Sequence, residues 1–441
     1  MEPMNLSFGA LIAYLNRAIA QMEDPRQASN GRKYSLKDAV LAAFSVFFMQ
    51  SESFLDYQRY LESHHGNSNA QSLFGMIRVP TVPQIRNILD GIPAAALAGV
   101  FYCVYQGLKR HGHLKPFQVL GGLLIALDGT QYFDSQALHC EHCSSRTHKN
   151  GTVSYFHSAI LPVIVAPGQA QVISLAPELI SPQDGCEKQD SEVAAAKRWI
   201  ATHGAEFCGQ PITFLGDDLY SHQPMCETIL DAGMNFIFTC LPTSHTTLDE
   251  WLRSLENTDR VKIITIEQSK QSSKELYRYR YVNQIPLRGA QPALNVNWCE
   301  LVVTRQSDGK LLYKNAFITS HDLTEESVPL VTAAGRCRWK TENENHNVLK
   351  TKGYHLEHNF GHGQVHLAAS LLSLNVLAFL FHPVLHLTDP PYQQIRQKRG
   401  TRKGFFQDIV SLTKYFLFES WQSLIDFMLY GSPPPQTAHS S

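Results

Sequence analysis

The sequence predicts an α/β protein: a mixed β-sheet, an N-terminal helical bundle and an inserted antiparallel β subdomain. Three observations support this fold class. Helical patterns fill residues 1–115, strand and helix patterns alternate over 116–240, and four strand patterns with little helix between them fill 241–322. Helical patterns return over 323–390, and a basic segment with a disordered tail is predicted for 391–441. Strands that alternate with helices are typical of a sheet covered by helices.

The composition is that of an ordinary globular protein. The 441 residues are 44 % hydrophobic and 17 % charged, with a net charge of −1, so any nucleic-acid surface must be a local patch. The nine cysteines are dispersed, unlike those of a small disulfide-rich secreted domain. Residues 1–10 lack the pattern of a signal peptide, and polar His366 and Asn375 interrupt the apolar stretch 365–381. We therefore expect a cytoplasmic protein without a membrane span.

The first 115 residues are predicted to form a small helical bundle. Ser35 to Asp38 resembles a capping box and leads into apolar residues that continue to Met49. Further helices are predicted near residues 54–63, 83–89 and 94–111. A purely structural bundle and a DNA-binding bundle are both compatible with this pattern.

The central region predicts three strands, then a helix, a strand, a helix and a strand. The first strand, 123–127, is continuously apolar, as expected for a strand buried on both faces. Strand patterns follow at 155–166 and 171–180, and another at 211–215. This order is found in ribonuclease H-like cores, which are mixed sheets, although many other α/β folds begin similarly. The antiparallel insertion is predicted to contain four further strands, at 261–266, 276–285, 296–305 and 311–319.

Three carboxylates are the candidate catalytic residues. Asp128 and Asp217 each follow a predicted core strand, where open α/β sheets place their ligands. Glu342 lies on a predicted helix four residues after Arg338, so the two side chains are expected to share a face. Carboxylates that meet without cations repel one another. Oxygen ligands of this kind favour Mg²⁺ or Mn²⁺, and two such ions can promote displacement at a phosphodiester.

The three blocks resemble the catalytic motifs of DDE transposases from bacterial insertion sequences. They read Asp128-Gly-Thr, Asp217-Asp-Leu-Tyr220 and Arg338-Trp-Lys-Thr-Glu342. The subgroup they resemble carries a β-strand insertion before the glutamate and a Tyr-Arg-Glu-Lys signature. The resemblance covers roughly residues 120–380. It implies a ribonuclease H-like catalytic domain in which the two aspartates and the glutamate bind metal ions.

The sequence departs from that signature at two positions. Gly335 occupies the position of the signature tyrosine, and Leu349 that of the signature lysine. Lys350 is one residue late and Lys352 is a rival for the phosphate-binding role. Arg338 is the candidate for orienting the glutamate or contacting a DNA phosphate. Two acidic neighbours, Asp218 and Glu344, are alternatives to the chosen metal ligands.

The resemblance implies a DNA transposase that uses two Mg²⁺ (or Mn²⁺) ions. It would hydrolyse phosphodiesters at transposon ends and transfer the strands to target DNA. The implied partners are transposon-end DNA, target DNA and a second copy of the chain in a synaptic homodimer, with a nucleoid-associated location. Two alternatives stay open: a ribonuclease H-like nuclease that cuts without joining, and an inactive DNA-binding derivative.

Three secondary sites are hypotheses of their own. Cys140 and Cys143 have zinc-ligand spacing, and His148 is the predicted third ligand. His157 and Cys186 are the other candidates, and a zinc-centred binding module is the function this site would suggest. Trp298 could stack on a flipped base, although a packed strand residue is the simpler interpretation. The basic segment 396–403 could contact phosphates or form a solvated surface.

Overall fold

The protein was analysed as a computed structural model that describes residues 6–26, 33–63, 65–182, 190–255, 258–270 and 273–431. Six helices precede the first strand, three of them begun by serine side chains that accept a backbone N–H (Ser7, Ser35 and Ser53). They are α1 (Phe8–Gln21), α2 (Leu36–Phe48), α3 (Phe54–Leu61), α4 (Gly66–Phe74), α5 (Val82–Leu89) and α6 (Ala98–Arg110). The predicted helical character of this region is confirmed.

The strands form two sheets. In chain order they are β1 (Gln118–Val119), β2 (Gly122–Ala126), β3 (Gly129–Ser135), β4 (Ser144–Thr147), β5 (Val153–Ile160), β6 (Val163–Val165), β7 (Ile173–Ser174), β8 (Glu178–Ile180), β9 (Ile212–Gly216), β10 (Asn235–Thr239), β11 (Lys262–Lys270), β12 (Ser273–Pro286), β13 (Asn295–Arg305) and β14 (Leu311–Thr319). The main sheet has the order β11-β12-β13-β14-β10-β9-β2-β6-β7, with β1 paired to β2. The smaller sheet has the order β3-β5-β4, with β8 paired to β5.

The centre of the main sheet is parallel and fully buried. β2 pairs in parallel with β9, and β9 with β10. β6 pairs antiparallel with β2, and β7 antiparallel with β6. Every residue of β2 and β9 is buried, which explains their continuously apolar sequences. The sheet is mixed, as predicted.

The four strands of the insertion are confirmed, and they extend the main sheet. β14 pairs antiparallel with β10, with Thr239 opposite Phe317. The insertion therefore does not form a sheet of its own. The alternating pattern of β12 is observed as well: Tyr277, Tyr279 and Tyr281 are buried.

Two predicted strands were each wrong as single elements. The pattern at 155–166 divides at Leu161 and Pro162, so β5 lies in the smaller sheet and β6 in the main one. The pattern at 171–180 divides likewise into β7 and β8. Proline has no N–H for a strand ladder, which explains the first division. β3, which begins immediately after Asp128, was not predicted.

The remaining helices pack on the sheets and on the N-terminal bundle. They are α7 (Glu192–His203), α8 (Gln223–Asp231), α9 (Thr246–Leu255), α10 (Ser327–Arg336), α11 (Asn347–Thr351), α12 (Leu367–Thr388), α13 (Pro390–Arg399), α14 (Arg402–Tyr415) and α15 (Trp421–Tyr430). α12 is apolar and long enough to span a membrane, but 94 % of its most apolar window is buried inside the protein. It has the character of a core helix, consistent with a soluble protein.

The basic C-terminal segment is helical where the structure describes it. Residues 396–403 end α13 and begin α14. Arg396 lies 5.2 Å from the ring centroid of Phe405, and Arg402 donates to the Tyr354 hydroxyl at 2.9 Å. These two arginines therefore make contacts within the protein. The predicted disordered tail, 432–441, lies outside the described residues.

Candidate functional site

Asp128 lies at the centre of a charged cluster at one edge of the main sheet. It follows β2, and Asp217 follows β9, the parallel neighbour of β2. Both carboxylates thus lie where two adjacent parallel strands end. The Asp128 side chain is 17 % exposed, and Glu192, Glu342 and Asp217 act on it electrostatically. The fold therefore brings the three predicted carboxylates into one region.

Burial and the neighbouring charges shift the pKa of Asp128 strongly. Burial raises its pKa, and the neighbouring carboxylate of Glu192 raises it further. The charges of Glu342 and Asp217 act in the same direction, Arg338 acts against them, and the pKa reaches about 7. Near neutral pH this carboxyl therefore retains a proton for much of the time. A divalent cation would favour its ionised form, because it would offset the surrounding negative charge.

Arg338 holds Glu342 as predicted. Its Nη1 lies 2.8 Å from Glu342 Oε1 and 4.0 Å from Asp128 Oδ2. The predicted regular helix around the glutamate was wrong in detail. α10 ends at Arg336, residues 341–346 are π-helical, and α11 follows. A π-helical turn accommodates an extra residue and is frequent at functional sites.

The π-helical turn bears on which lysine faces the cluster. In a regular α-helix Lys350 would be rotated away from Glu342, but the extra residue brings it back towards the same face. Leu349, at the position of the signature lysine, is fully buried. Lys350 Nζ is 2.8 Å from Glu357 Oε1. Lys352 is exposed just beyond the end of α11. Lys350 is accordingly the better placed of the two candidates.

His346 is a neighbour of Asp128 that the sequence analysis missed. Its Nδ1 lies 3.7 Å from Asp128 Oδ2. Burial, and then the positive charges of Lys350 and Arg338, lower its pKa to about 4, so the imidazole is neutral at physiological pH. Its Nε2 is buried without a hydrogen-bond partner in the described part of the chain. The spacing Glu342-x-x-x-His346 was the signal that could have identified it.

Glu192 is the second missed residue. Its Oε1 accepts the Tyr220 hydroxyl at 2.6 Å and the Gly129 N–H at 2.9 Å. A Cβ at position 129 would lie 2.5 Å from Glu192 Oε2, so a larger residue after Asp128 would displace this carboxylate. The glutamate thus links the Asp128 and Asp217 blocks. In the sequence it resembles an ordinary acidic residue in the first turn of α7, next to the N-cap Ser191.

The alternative carboxylate Asp218 makes its contacts away from Asp128. Asp218 Oδ1 accepts the Leu241 N–H at 2.6 Å and lies 3.8 Å from His245 Nε2. Asp217 Oδ1 accepts the Leu219 N–H at 2.9 Å, and its charge acts on Asp128. Glu342, and not Glu344, appears among the groups that shift the Asp128 pKa. The geometry therefore favours Asp217 and Glu342.

The carboxylates do not form one compact ligand set. Among the described residues, no three carboxylate oxygens of this cluster lie within 4.8 Å of one another. A single ion could not bind all three in this arrangement. Oxygen donors are the ligands that hard divalent cations prefer, and such a cation would offset the negative charge around Asp128.

A separate cluster of cysteine and histidine could hold a metal ion. The ligand atoms of its four residues lie within 4.8 Å of one another: Cys140, Cys143, His157 and His362. The predicted ligand His148 is not among them, because its Nε2 contacts Ser154 Oγ at 2.8 Å. Cys186 lies outside the described residues. His157 was a considered alternative, whereas His362 is 219 residues from Cys143 in the chain and gave no local signal.

The proposed stacking role of Trp298 does not fit its environment. Its side chain is only 5 % exposed, and Arg280 lies 5.7 Å from its ring centroid. It is the packed strand residue of the simpler interpretation. Trp339, adjacent to Arg338, is 46 % exposed. Lys340 Nζ lies 5.3 Å from its ring centroid.

The chain was also compared with known proteins. No protein-family model matches it, and no curated protein matches it. The resemblance of its three acidic blocks to transposases therefore stays a prediction. The function proposed below therefore rests on the geometry and charges of the carboxylate cluster.

Proposed function

We propose that this protein is a DNA transposase that cleaves and joins phosphodiesters with the help of two Mg²⁺ or Mn²⁺ ions. One observation carries the proposal: Asp217 and Glu342, distant in sequence, both act electrostatically on the half-buried carboxyl of Asp128. The ions would be held by these three residues. When bound, such ions activate the attacking oxygen and stabilise the leaving oxygen.

The strand order supports a ribonuclease H-like catalytic core. In the run β7-β6-β2-β9-β10, β6 alone runs opposite to the other four strands. The first and second carboxylates follow adjacent parallel strands, and the third comes from a late helical segment. This distribution agrees with the predicted fold class, including an N-terminal helical region before the sheet.

Residues of the chain would position the reacting groups. Arg338 fixes the Glu342 carboxylate through a 2.8 Å contact and offsets the charge at Asp128. Tyr220 and Gly129 hold Glu192 through hydrogen bonds. His346 is neutral and buried, and its Nδ1 lies 3.7 Å from Asp128 Oδ2, so it borders the carboxyl without adding a charge. These contacts pre-organise the site, which lowers the reorganisation that catalysis would require.

DNA would contact the positive and aromatic side chains around the cluster. Arg338, Lys350 and Lys352 are the proposed phosphate contacts, and exposed Trp339 is a proposed stacking surface. A homodimer would hold two transposon ends together, in association with the nucleoid. The chain's net charge of −1 confines this attraction to a local patch.

The experiment uses a plasmid that carries the chain's own gene between its natural flanking sequences. Purified protein, a target plasmid and Mg²⁺ are combined, and the DNA products are sequenced. We expect excised ends joined to the target, and no products with Glu342→Gln. Cleaved ends without joining would support the nuclease alternative. Binding without any cleavage would support the inactive DNA-binding derivative, and either result would overturn the transposase proposal.

A further inference from the structure

The cysteine–histidine cluster joins two parts of the chain that are otherwise separate. Cys140 and Cys143 lie in the loop between β3 and β4, and His157 lies on β5 of the same small sheet. His362 comes from the loop that precedes the core helix α12. His157 and His362 are both buried, at 6 % and 9 % exposure. The four side chains therefore meet between the small sheet and the helical core.

The distances within this cluster match a tetrahedron around zinc. With Zn–S of about 2.3 Å and Zn–N of about 2.0–2.1 Å, tetrahedral geometry requires separations of ~3.8 Å (S to S), ~3.6 Å (S to N) and ~3.4 Å (N to N). Cys140 Sγ is 3.9 Å from Cys143 Sγ, and His157 Nε2 is 3.1 Å from His362 Nε2. Three sulfur-to-nitrogen distances are 3.3, 3.4 and 3.6 Å.

The hydrogen bond made by His362 leaves its Nε2 available to bind a metal ion. His362 Nδ1 lies 2.9 Å from the Gly363 carbonyl oxygen. A carbonyl can only accept a hydrogen bond, so Nδ1 carries the proton of the neutral ring and Nε2 presents its lone pair to the cluster. A backbone carbonyl bound to the second ring nitrogen is the usual partner of a metal-binding histidine.

The loop that carries His362 is held in place independently of any metal. Asp90, at the end of α5, accepts the backbone N–H groups of residues 364–367 at 2.9–3.2 Å. Gly363 has a φ of +69°, and a Cβ there would lie 2.4 Å from Asp90 Oδ1. Arg86 Nε donates to the Phe360 carbonyl at 2.9 Å. His362 is thus presented to the two cysteines from a fixed backbone.

We propose that Cys140, Cys143, His157 and His362 form a structural Zn²⁺ site that fastens the small β-sheet to the loop before α12. Two thiolates and two imidazoles complete a tetrahedral shell, which leaves no open position for substrate or water. The soft sulfur ligands select zinc over the magnesium proposed for the carboxylate cluster. The site lies beyond the end of β3 opposite to Asp128, so the metal supports the strand that begins at the carboxylate cluster.

The first experiment is metal analysis of the full chain, purified without chelator from cells grown with zinc. We expect about one zinc ion per chain, and loss of that zinc in His157→Ala and Cys143→Ser. His148→Ala is the matched control, because His148 lies near the same sheet but contacts Ser154, and it should retain zinc. Less than about one-tenth of an ion in the wild type, or full zinc content in His157→Ala, would refute the site.

Cobalt substitution is measured on the wild-type protein, so its result does not depend on whether the variants fold. Wild-type protein refolded with Co²⁺ should show the intense visible bands of a tetrahedral ion and thiolate-to-cobalt charge transfer. X-ray absorption should then give two sulfur and two nitrogen neighbours. Zinc should also raise the Tm of metal-stripped protein by at least about 5 °C. An octahedral cobalt spectrum, or a Cys140–Cys143 disulfide in the wild type as isolated, would overturn the proposal. None of these measurements depends on DNA cleavage.

Discussion

The cysteine–histidine cluster and the carboxylate cluster differ in how closely their ligand atoms are placed. The cysteine–histidine cluster brings four ligand atoms within 4.8 Å of one another, and its histidines are buried. The carboxylate cluster keeps its oxygens further apart, uses Arg338 to offset charge, and leaves Glu342 with a side chain that is 53 % exposed. A closed shell suits a structural ion, whereas separated and partly exposed oxygens leave room for ions together with a substrate phosphate. This contrast supports our proposals of a structural metal site at the first cluster and a catalytic site at the second.

The largest expected effect is a loss of DNA cleavage when Asp217, in the carboxylate cluster, is replaced. Asp217→Asn should reduce Mg²⁺-dependent cleavage at least about 1000-fold, because removing a charged ligand sacrifices several kcal/mol of transition-state stabilisation. Asp218→Asn is the matched control and should stay within about threefold of the wild type. Cleavage rates and zinc content are measured on the same preparations.

Zinc content should be equal in both variants. If Asp217→Asn cleaves at the wild-type rate, Asp217 is not a metal ligand. If Asp217→Asn loses zinc, whatever its cleavage rate, the two clusters are not independent.

The second-largest expected effect is an increase in the free energy of unfolding when Asp128 is replaced by asparagine. Because the pKa of Asp128 is raised to about 7 in the folded state, the folded protein keeps a proton that the unfolded chain has lost. The contribution of Asp128 to stability in EDTA should therefore be greatest at and below about pH 4 and be lost as the pH rises to about 7. Asp128→Asn removes this dependence and should stabilise the metal-free protein by roughly 2 kcal/mol at pH 7.5.

Urea unfolding at pH 5 and pH 7.5 provides the measurement. The difference between variant and wild type should be larger at the higher pH. A constant difference would mean that Asp128 is not held among like charges. Mg²⁺ should reduce the advantage of the variant, since only the wild type has the full ligand set.

The smallest effect concerns the support of Glu192. Tyr220→Phe removes the 2.6 Å hydrogen bond to Glu192 Oε1 and should cost about 1–2 kcal/mol of unfolding free energy. Cleavage should decrease about tenfold while zinc content stays unchanged. An unaltered cleavage rate would show that Glu192 does not need this hydroxyl to hold its position.

Sequence alone predicted those parts of the fold whose signals are local. The four insertion strands and the buried strands before Asp128 and Asp217 were evident from their apolar patterns. The division of residues 155–166 between two sheets was not, because both halves are apolar and only the surrounding structure separates them. The π-helical turn around Glu342 was also hidden, since its residue types suit a regular helix.

The same distinction applies to the sites. Arg338 and Glu342 were paired correctly because helical spacing is a local rule. Glu192 resembled a capping acid, and its hydrogen bonds with Tyr220 and Gly129 exist only in the folded protein. His362 is 219 residues from Cys143 in the chain, so the nearby His148 was preferred. Glu192 and His362 lie far from their partners in the chain and in no recognisable motif, so the sequence did not reveal them.

The most direct test of the two-cluster account is anomalous diffraction from one crystal soaked in Mn²⁺. Data collected at the zinc and manganese absorption edges distinguish the two metals. We predict zinc at Cys140, Cys143, His157 and His362, and manganese bound by Asp128 together with Asp217 or Glu342. Manganese absent from the carboxylates, or bound only on the opposite face of the sheet, would contradict the proposed catalytic site.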